Sequence, residues 1–540
     1  MDSPLSEAAA SGPPAPDVPR LLALLALEGD RPALTFYQGK VAEGRLTYAG
    51  LAAKVETLAG RLHQEYRVGA GDRVAILSPN RLEIPVLVLA LLRLGAVVVP
   101  LNPAASAEDW AYILSHSGTR GLCATAELLA RVDRASLPAF TLLVEDAFTG
   151  GTAAPAAPGD LADALAVILY TSGTTGNPKG VALRQRNLLW NAWSMARNFR
   201  LDGTTQFSVL PLYHAHAFGF GLMTALATGG HLVFAARLEP FAWAEVVRRE
   251  SVQVSSAVPT LLPMLLAAGI TREKVPTLQH LLVSSAPLPP DLARAFETKT
   301  RIPLTQGWGL SEYMNFACCC SPHLDQDEHE RLMFGWEVPS IGPALEGTEV
   351  RVTGEGGAEL GAGERGELAV RGHSTMLGYF ADPAATARAL DVDGWLQTGD
   401  EGFFELHRGR AIYFVTGRLK EIIIRDAEKY SPLRLERRLV AAVPELSGRL
   451  AVLGFPHREH GEEVGAYLET DAFDEATRAR LVAALEAMPI AERPKVVLFG
   501  VQPIPRTHTG KIQRRKMQPW FAAWSAHRGL GVVAPLPVSP

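Results

Sequence analysis

Between residues 72 and about 305, short β-rich apolar runs alternate with longer segments of helical period, and the runs at 74–77, 97–99, 121–124, 141–144, 165–170, 208–210, 231–234, 252–256 and 280–283 read as strands. Strands that take turns with helices imply parallel sheets whose faces the helices cover. The Gly-, Ala- and Pro-rich stretch 150–160 punctuates the series and predicts a surface connection between two such sheets. From 346 to about 413 the pattern changes to short strands, including 348–353 and 366–370, with Gly-containing turns. That change predicts a small β-rich subdomain. From 417 to about 520, strand and helix patterns resume over a length sufficient for a separate α+β lid. The apolar run 84–100 approaches the length of a membrane span, but Arg93 and Gly95 interrupt it and Pro100 closes it. A helix followed by a buried strand is expected there instead.

The expected fold class is thus α/β: a large N-terminal domain of two parallel-type sheets with helices and a small β-rich subdomain, then a small mobile α+β C-terminal domain. The expected boundaries are a disordered tail at 1–19, the large domain at 20–417, the lid at 418–525 and a Pro-rich disordered tail at 526–540. A content of 47% hydrophobic and 20% charged residues over 540 residues is ordinary for a soluble protein with large cores. The formal net charge of −5 argues against a nucleic-acid binder. Residues 1–19 carry Asp2, Glu7 and several prolines, with no basic start and no apolar core. They predict a frayed tail and not a signal peptide, which makes the cytoplasm the expected location and leaves no integral membrane segment. Of the 4 cysteines, Cys318, Cys319 and Cys320 are consecutive, so on a strand they point to alternate faces, and Cys123 is remote. They predict small buried side chains, not a disulfide framework or a tetrahedral metal site.

The most informative stretch is Tyr170-Thr171-Ser172-Gly173-Thr174-Thr175-Gly176-Asn177-Pro178-Lys179-Gly180-Val181, which follows the apolar run 165–169. Its glycines allow tight turns and close backbone approach, its hydroxyls and amides act as donors, and Lys179 adds a positive charge, so it can wrap a polyphosphate. It is not the phosphate loop of P-loop NTPases, where Gly-Lys is followed by Ser or Thr. Taken bare, it also reads as a flexible surface turn. His214 and His216, two apart, would share a face of an extended segment, and a His-x-His pair can ligate a metal only weakly without a third ligand. The mixture of carboxylates and imidazoles at 321–331 predicts a solvent-exposed loop.

Residues Thr171 to Gly180 resemble the signature phosphate loop of the adenylate-forming superfamily of acyl-CoA ligases, peptide-synthetase adenylation domains and beetle luciferases. Further blocks follow in the family's order: Pro211-Leu212-Tyr213-His214, Gln306-Gly307-Trp308-Gly309-Leu310-Ser311-Glu312, Thr398-Gly399-Asp400, Gly417-Arg418-Leu419-Lys420-Glu421 and Pro505-Arg506-Thr507-His508-Thr509-Gly510-Lys511-Ile512. The blocks run from residue 171 to 512, and the resemblance as a whole covers the chain from about 46 to 516. The resemblance implies that a carboxylic acid attacks the α-phosphorus of ATP, expels pyrophosphate and is then transferred to the thiol of CoA or of a carrier-protein phosphopantetheine. Two anions meet in that first step, so catalysis rests on positioning and on local positive charge.

By the same resemblance, Thr171, Ser172, Gly173, Thr174, Thr175, Gly176 and Lys179 hold the β- and γ-phosphates. Ser285, Ala286 and Pro287 line the adenine edge, Trp308 covers the adenine face between Gly307 and Gly309, Ser311 bonds the α-phosphate, and Glu312 holds Mg²⁺. Asp400 takes the ribose hydroxyls, supported by Arg418. Lys511 is the catalytic cation bridging acyl carboxylate and α-phosphate, and Lys420 is the domain hinge. Arg514, Arg515 and Lys516 add charge near Lys511. His214, His216, Phe218 and Gly309 belong to the acyl pocket, His214 at its gate. Nearby Trp193, Met223, Val258 and Leu262 suggest a hydrophobic, fatty or aromatic, acid, and each also suits a core. Thioester-forming relatives commonly carry Gly-Gly-Glu-Asn in the place where this chain has Arg425-Asp426-Ala427-Glu428-Lys429-Tyr430-Ser431-Pro432, with Glu428 and Pro432 still in pattern. Loss of both glycines restricts positive φ and adds a charge where a thiol arm passes. Two alternatives therefore stand beside the ligase: an enzyme that stops at the adenylate or uses a non-thiol acceptor, and a nucleotide-binding regulator without catalysis.

Overall fold

A computed structural model of the chain describes residues 12–171, 177–426, 428–471, 474–507, 510–526 and 532–536. The protein forms two compact units. The first comprises the chain up to residue 350 with 369–397 and 410–412, and the second comprises 351–368, 398–409 and 413 onward.

Two large sheets organise the first unit, as the alternation of strand and helix predicts. One has seven strands in the order Gly378–Tyr379, Lys179–Arg184, Leu165–Thr171, Val97–Leu101, Arg73–Leu77, Gly121–Ala124 and Phe140–Leu143. From Leu165–Thr171 onward its neighbours are parallel. The other has eight strands in the order Phe316–Cys319, Leu304–Gly309, His280–Val283, Val254–Ala257, Thr205–Ser208, His231–Ala235, Pro32–Gln38 and Val41–Thr47. Its neighbours are parallel from Leu304–Gly309 to Pro32–Gln38. Central strands such as Val97–Leu101 are buried at every position, which explains why they read as unbroken apolar runs. The run at 84–100 is the helix Glu83–Arg93 followed by the strand Val97–Leu101, and among the described residues no helix is long and apolar enough to cross a membrane. All four cysteines are free and buried.

Smaller sheets account for the rest. Thr348–Thr353, Gly366–Gly372, Leu396–His407 and Arg410–Arg418 form a four-stranded sheet in that order. In the second unit the helices Pro432–Ala442 and Glu475–Glu486 accompany a sheet built around the paired strands Leu450–His457 and Gly461–Glu469.

Four local expectations change. The chain is ordered well before residue 20, because Asp17, 0% exposed, caps the helix Val18–Ala26 and also accepts the Leu161 amide, while the Val18 amide donates to Gln185 Oε1 at 2.8 Å. At the other end, Val532–Pro535 pairs in parallel with Val496–Gly500, so the tail expected at 526–540 contains a strand. The second unit also takes in 351–368, 398–409 and 413–417, segments that a boundary at 418 assigns to the large domain. Within 321–331, Asp325 caps a helix, Gln326–Phe334, where a loop is expected.

Candidate active site

Parallel strands present the loops after their carboxyl ends on one side of the sheet, and ligands of open α/β sheets bind there. In the eight-stranded sheet, those loops carry the predicted residues. His214 and His216 follow Thr205–Ser208, Ser284 to Pro287 follow His280–Val283, and Ser311 and Glu312 follow Leu304–Gly309. Asn80 fixes the first of these loops from the neighbouring sheet's connections. Buried to 4% exposure, it donates to the carbonyls of Leu210 and Ala235 and accepts the Leu212 amide.

In the seven-stranded sheet, Leu165–Thr171 and Lys179–Arg184 form an antiparallel hairpin whose last pair is Thr171 with Lys179. The phosphate-loop residues Ser172, Gly173, Thr174, Thr175 and Gly176 lie outside the described residues, so the hairpin's mouth is what is defined. The short strand Gly378–Tyr379 pairs with Val181 and Ala182 and brings Tyr379 to that mouth. The Tyr379 hydroxyl donates to Glu312 Oε1 at 2.8 Å, and its ring lies under the Lys179 ammonium, 4.9 Å from nitrogen to centroid. One side chain therefore joins the cation at the loop's exit to the carboxylate assigned to the metal. Sequence reasoning missed Tyr379, since a strand of two residues has no period to detect.

Glu312 sits on a single 3₁₀ turn, Ser311–Tyr313, between strands Leu304–Gly309 and Phe316–Cys319. The turn folds back so tightly that a Cβ at Gly309 would lie 1.6 Å from the Asn315 carbonyl oxygen, which the Leu310 amide bonds. A Cβ at Gly307 would lie 2.6 Å from the Phe316 ring, still closer than real Cβ contacts come. Trp308, between them, is buried. The amide of Met376 bonds the Glu312 carbonyl, tying this turn to the segment that carries Tyr379.

Ser285 adopts φ +72°, the left-handed region that glycine takes without strain. The backbone next to Ala286 and Pro287 thus keeps a glycine-like conformation despite the serine. The Ser284 and Ser285 hydroxyls lie 2.9 and 3.2 Å from His216 Nδ1. Burial, with a further push from His214, holds the His216 imidazole down at about 3, so it is neutral across the physiological range. Its Nδ1 is bonded to serines, and among the described residues His214 and His216 belong to no grouping of three potential ligands close enough to share an ion. After His216 the chain winds into a wide turn of π-helix, Ala217–Met223, that buries Phe218. Leu262 packs in the core cluster with Trp243 and Phe296, and Trp193, Met223 and Val258 are likewise buried.

In the second unit, Arg418 Nε lies 2.7 Å from Asp400 Oδ1, and Asp400 is 5% exposed. Burial and the nearby Asp400 raise the carboxyl of Glu367, which accepts the Gly399 amide. Lys511 leaves a hairpin turn in which its amide and carbonyl both bond Thr507, with Gly510 at φ +85°. Arg514, buried, donates to Glu421, Glu436 and the Val452 carbonyl. That network ties the Lys511 segment to the Leu419–Glu421 turn that carries Lys420, which is exposed. At the departure from the family pattern, Arg425 pairs with Glu428, and Asp426 adopts φ +52° with its carboxylate 2.8 Å from His460 Nδ1. Aspartate tolerates the left-handed region better than most residues, so position 426 takes it without glycine. His457, His460 and Glu463 form the one grouping among the described residues close enough to share an ion. Arg425 at 2.9 Å and Lys495 at 3.5 Å already neutralise Glu463, and the His457 and His460 rings are stacked.

The sequence profile of the AMP-binding enzyme family matches residues 25–380. The chain belongs to that family. It is 32% identical over 497 residues to a sulfoacetate–CoA ligase of Cupriavidus necator, covering 87% of this chain and 92% of the relative. It is 32% identical over 482 residues to a feruloyl-CoA synthase of an Amycolatopsis species, covering 88% and 94%. Among solved structures, ATP-bound MatB from Rhodopseudomonas palustris superposes with a TM-score of 0.82 at 28% identity, covering 94% of this chain and 99% of MatB. The o-succinylbenzoate CoA synthetase of Bacillus subtilis, in complex with its acyl-adenylate intermediate, gives 0.80 at 25% identity, covering 92% and 97%.

Proposed function

We propose that this enzyme is an AMP-forming acid–CoA ligase that joins a carboxylic acid to AMP and then to the thiol of CoA. The observation that carries this reading is the Lys179–Tyr379–Glu312 constellation at the mouth of the phosphate-loop hairpin. It sets a fixed cation and a fixed carboxylate on either side of one phenol, which suits a polyphosphate with its counter-ion. Thr171 to Gly176 and Lys179 would hold the β- and γ-phosphates, Ser285 to Pro287 and Trp308 the adenine, Ser311 the α-phosphate, and Asp400 with Arg418 the ribose. Glu312 would hold Mg²⁺, a hard cation that takes carboxylate oxygens and supplies charge neutralisation to the phosphates. One Glu312 oxygen accepts from Tyr379, which orients the carboxylate for that task.

Lys511 would place its ammonium between the acyl carboxylate and the α-phosphate. Rotation about Lys420 would then exchange that lysine for the 425–430 hairpin, against which the thiol arm would run. His214, His216, Phe218 and Gly309 would line the acid's place, and Phe218 supports an acid with an apolar body, fatty or aromatic. The cytoplasm, where ATP and CoA are supplied, is the proposed location. Lys511→Ala is expected to lower acid-dependent pyrophosphate release by roughly 10²–10³, the scale of removing one transition-state donor. Release at the wild-type rate would end the assignment. Asp426 favours a second reading, in which the adenylate goes to a carrier-protein phosphopantetheine or a non-thiol acceptor. Hydroxylamine trapping of acyl-adenylate, run beside CoA and carrier-protein thioester assays, separates these outcomes.

A further inference from the structure

Two buried nitrogens at the acid's place have no partner. His216 and Asn315 are 5% and 6% exposed, and neither His216 Nε2 nor Asn315 Nδ2 makes a hydrogen bond. Buried polar atoms are almost always paired, and unpaired ones concentrate where a ligand supplies the missing partner. The two lie on one surface. His216 opens the π-helix that carries Gly219, the Asn315 amide nitrogen lies 3.0 Å from where a Gly219 Cβ would sit, and the ring of Phe316, next to Asn315 in the chain, meets the His216 ring edge-on at 5.2 Å.

The surroundings of both nitrogens suit them as donors. Nδ1 has one lone pair, which the Ser284 hydroxyl at 2.9 Å can fill as donor, while the Ser285 hydroxyl reaches both Nδ1, at 3.2 Å, and Ser284 Oγ, at 3.4 Å. With Nδ1 accepting, the neutral ring carries its hydrogen on Nε2. The Asn315 amide nitrogen adds a second donor. Around them stand Ser284, Ser285, Phe220 and Phe316, which carry no charge, and among the described residues His214 is the titratable group that acts on His216. Two neutral donors with no cation fit an uncharged oxygen and penalise a second anionic group. The Met314 methyl lies 3.3 Å from the same Gly219 position, so a flexible thioether fills the space that a ligand would take.

We infer that the acid activated here carries, beyond its reacting carboxylate, an uncharged oxygen, hydroxyl or carbonyl, that accepts hydrogen bonds from His216 Nε2 and Asn315 Nδ2. This rests on the ligase reading and makes His216 and Asn315 specificity-determining residues.

The test is acid-dependent pyrophosphate release by the full chain, with acids offered as matched pairs that differ by one oxygen. Cinnamate is paired with 4-hydroxycinnamate and hexanoate with 5-oxohexanoate, and sulfoacetate and oxalate serve as doubly anionic probes. For the best skeleton, kcat/KM of the oxygenated member is expected to exceed that of its partner by about 10², since a site built around donors rejects an analogue lacking the acceptor. Asn315→Leu and His216→Leu shrink that ratio to within about 3-fold, and His216→Gln, which keeps a donor, restores part of it. The ratio within one variant is independent of how much of it folds. Equal use of both members by the wild type, a doubly anionic acid as the best substrate, or variants that lower both members alike overturn the inference while leaving the ligase reading intact. Absence of pyrophosphate release with every acid defeats both.

Discussion

Replacing Tyr379 by Phe removes one hydroxyl and little else. The ring stays under Lys179, and the Glu312 backbone stays held by the Met376 amide. What goes is the 2.8 Å bond from the phenol to Glu312 Oε1. A hydrogen bond to a charged group contributes about 1.5–3 kcal/mol, which at about 1.4 kcal/mol per decade is a factor of roughly 10–150. Because the bond orients the carboxylate assigned to Mg²⁺, the loss should fall on the nucleotide and not on the acid. The assay is pyrophosphate release at saturating acid, with ATP and Mg²⁺ titrated separately. kcat/KM for ATP should drop by about 10- to 100-fold and the Mg²⁺ dependence should move to higher concentration, with KM for the acid unchanged. Tyr379→Leu also strips the ring from Lys179 and should cost about 0.5–1 kcal/mol more, a further factor of roughly 2–5. Wild-type ATP and Mg²⁺ dependence in Tyr379→Phe would show that the phenol supports neither group.

The remaining predictions concern stability and the lid. His216 is held at about 3 against an ordinary value of 6.5, so the fold prefers its neutral form, and the stability this gives is present above pH 6.5 and lost as pH falls from 6.5 towards 3. At pH 5 the loss is about 2 kcal/mol relative to neutral pH. His231 and His280, both held down at about 4 chiefly by burial, act in the same direction. Urea midpoints at pH 7.5 and 5.0 should therefore separate less in His216→Gln than in the wild type, and an equal separation contradicts the assignment. Arg514→Met leaves Glu421 and Glu436 without their shared cation and should destabilise the second unit by about 3–5 kcal/mol. Adding Glu421→Gln and Glu436→Gln should recover part of that loss in thermal melts, and no recovery would assign the effect to packing. Asp426→Gly should leave CoA-thioester formation intact, whereas Asp426→Val, β-branched at φ +52°, should slow it without slowing pyrophosphate release. A Val variant that makes thioester at the wild-type rate would show that the turn is not used.

Sequence alone carried the architecture, because the signals it rests on are local. Unbroken apolar strands such as Val97–Leu101, spaced by helical segments, admit little besides helix-covered parallel sheets. The family was also legible where its signature sits in contiguous blocks, as in Thr171 to Lys179 and Gly307 to Glu312. Pairings between residues distant in sequence were not. Tyr379 reaches Glu312 through a strand of two residues, and Asn80 holds the loop before His214 from 130 residues away. The segment before residue 20 looked like a tail because the partners that order it, the Leu161 amide for Asp17 and Gln185 for the Val18 amide, come together with it only in the folded chain. Composition could not say whether His216 ligates, titrates or donates, since one imidazole does all three. Burial keeps it neutral and two serine hydroxyls meet its Nδ1, and those are properties of the tertiary structure.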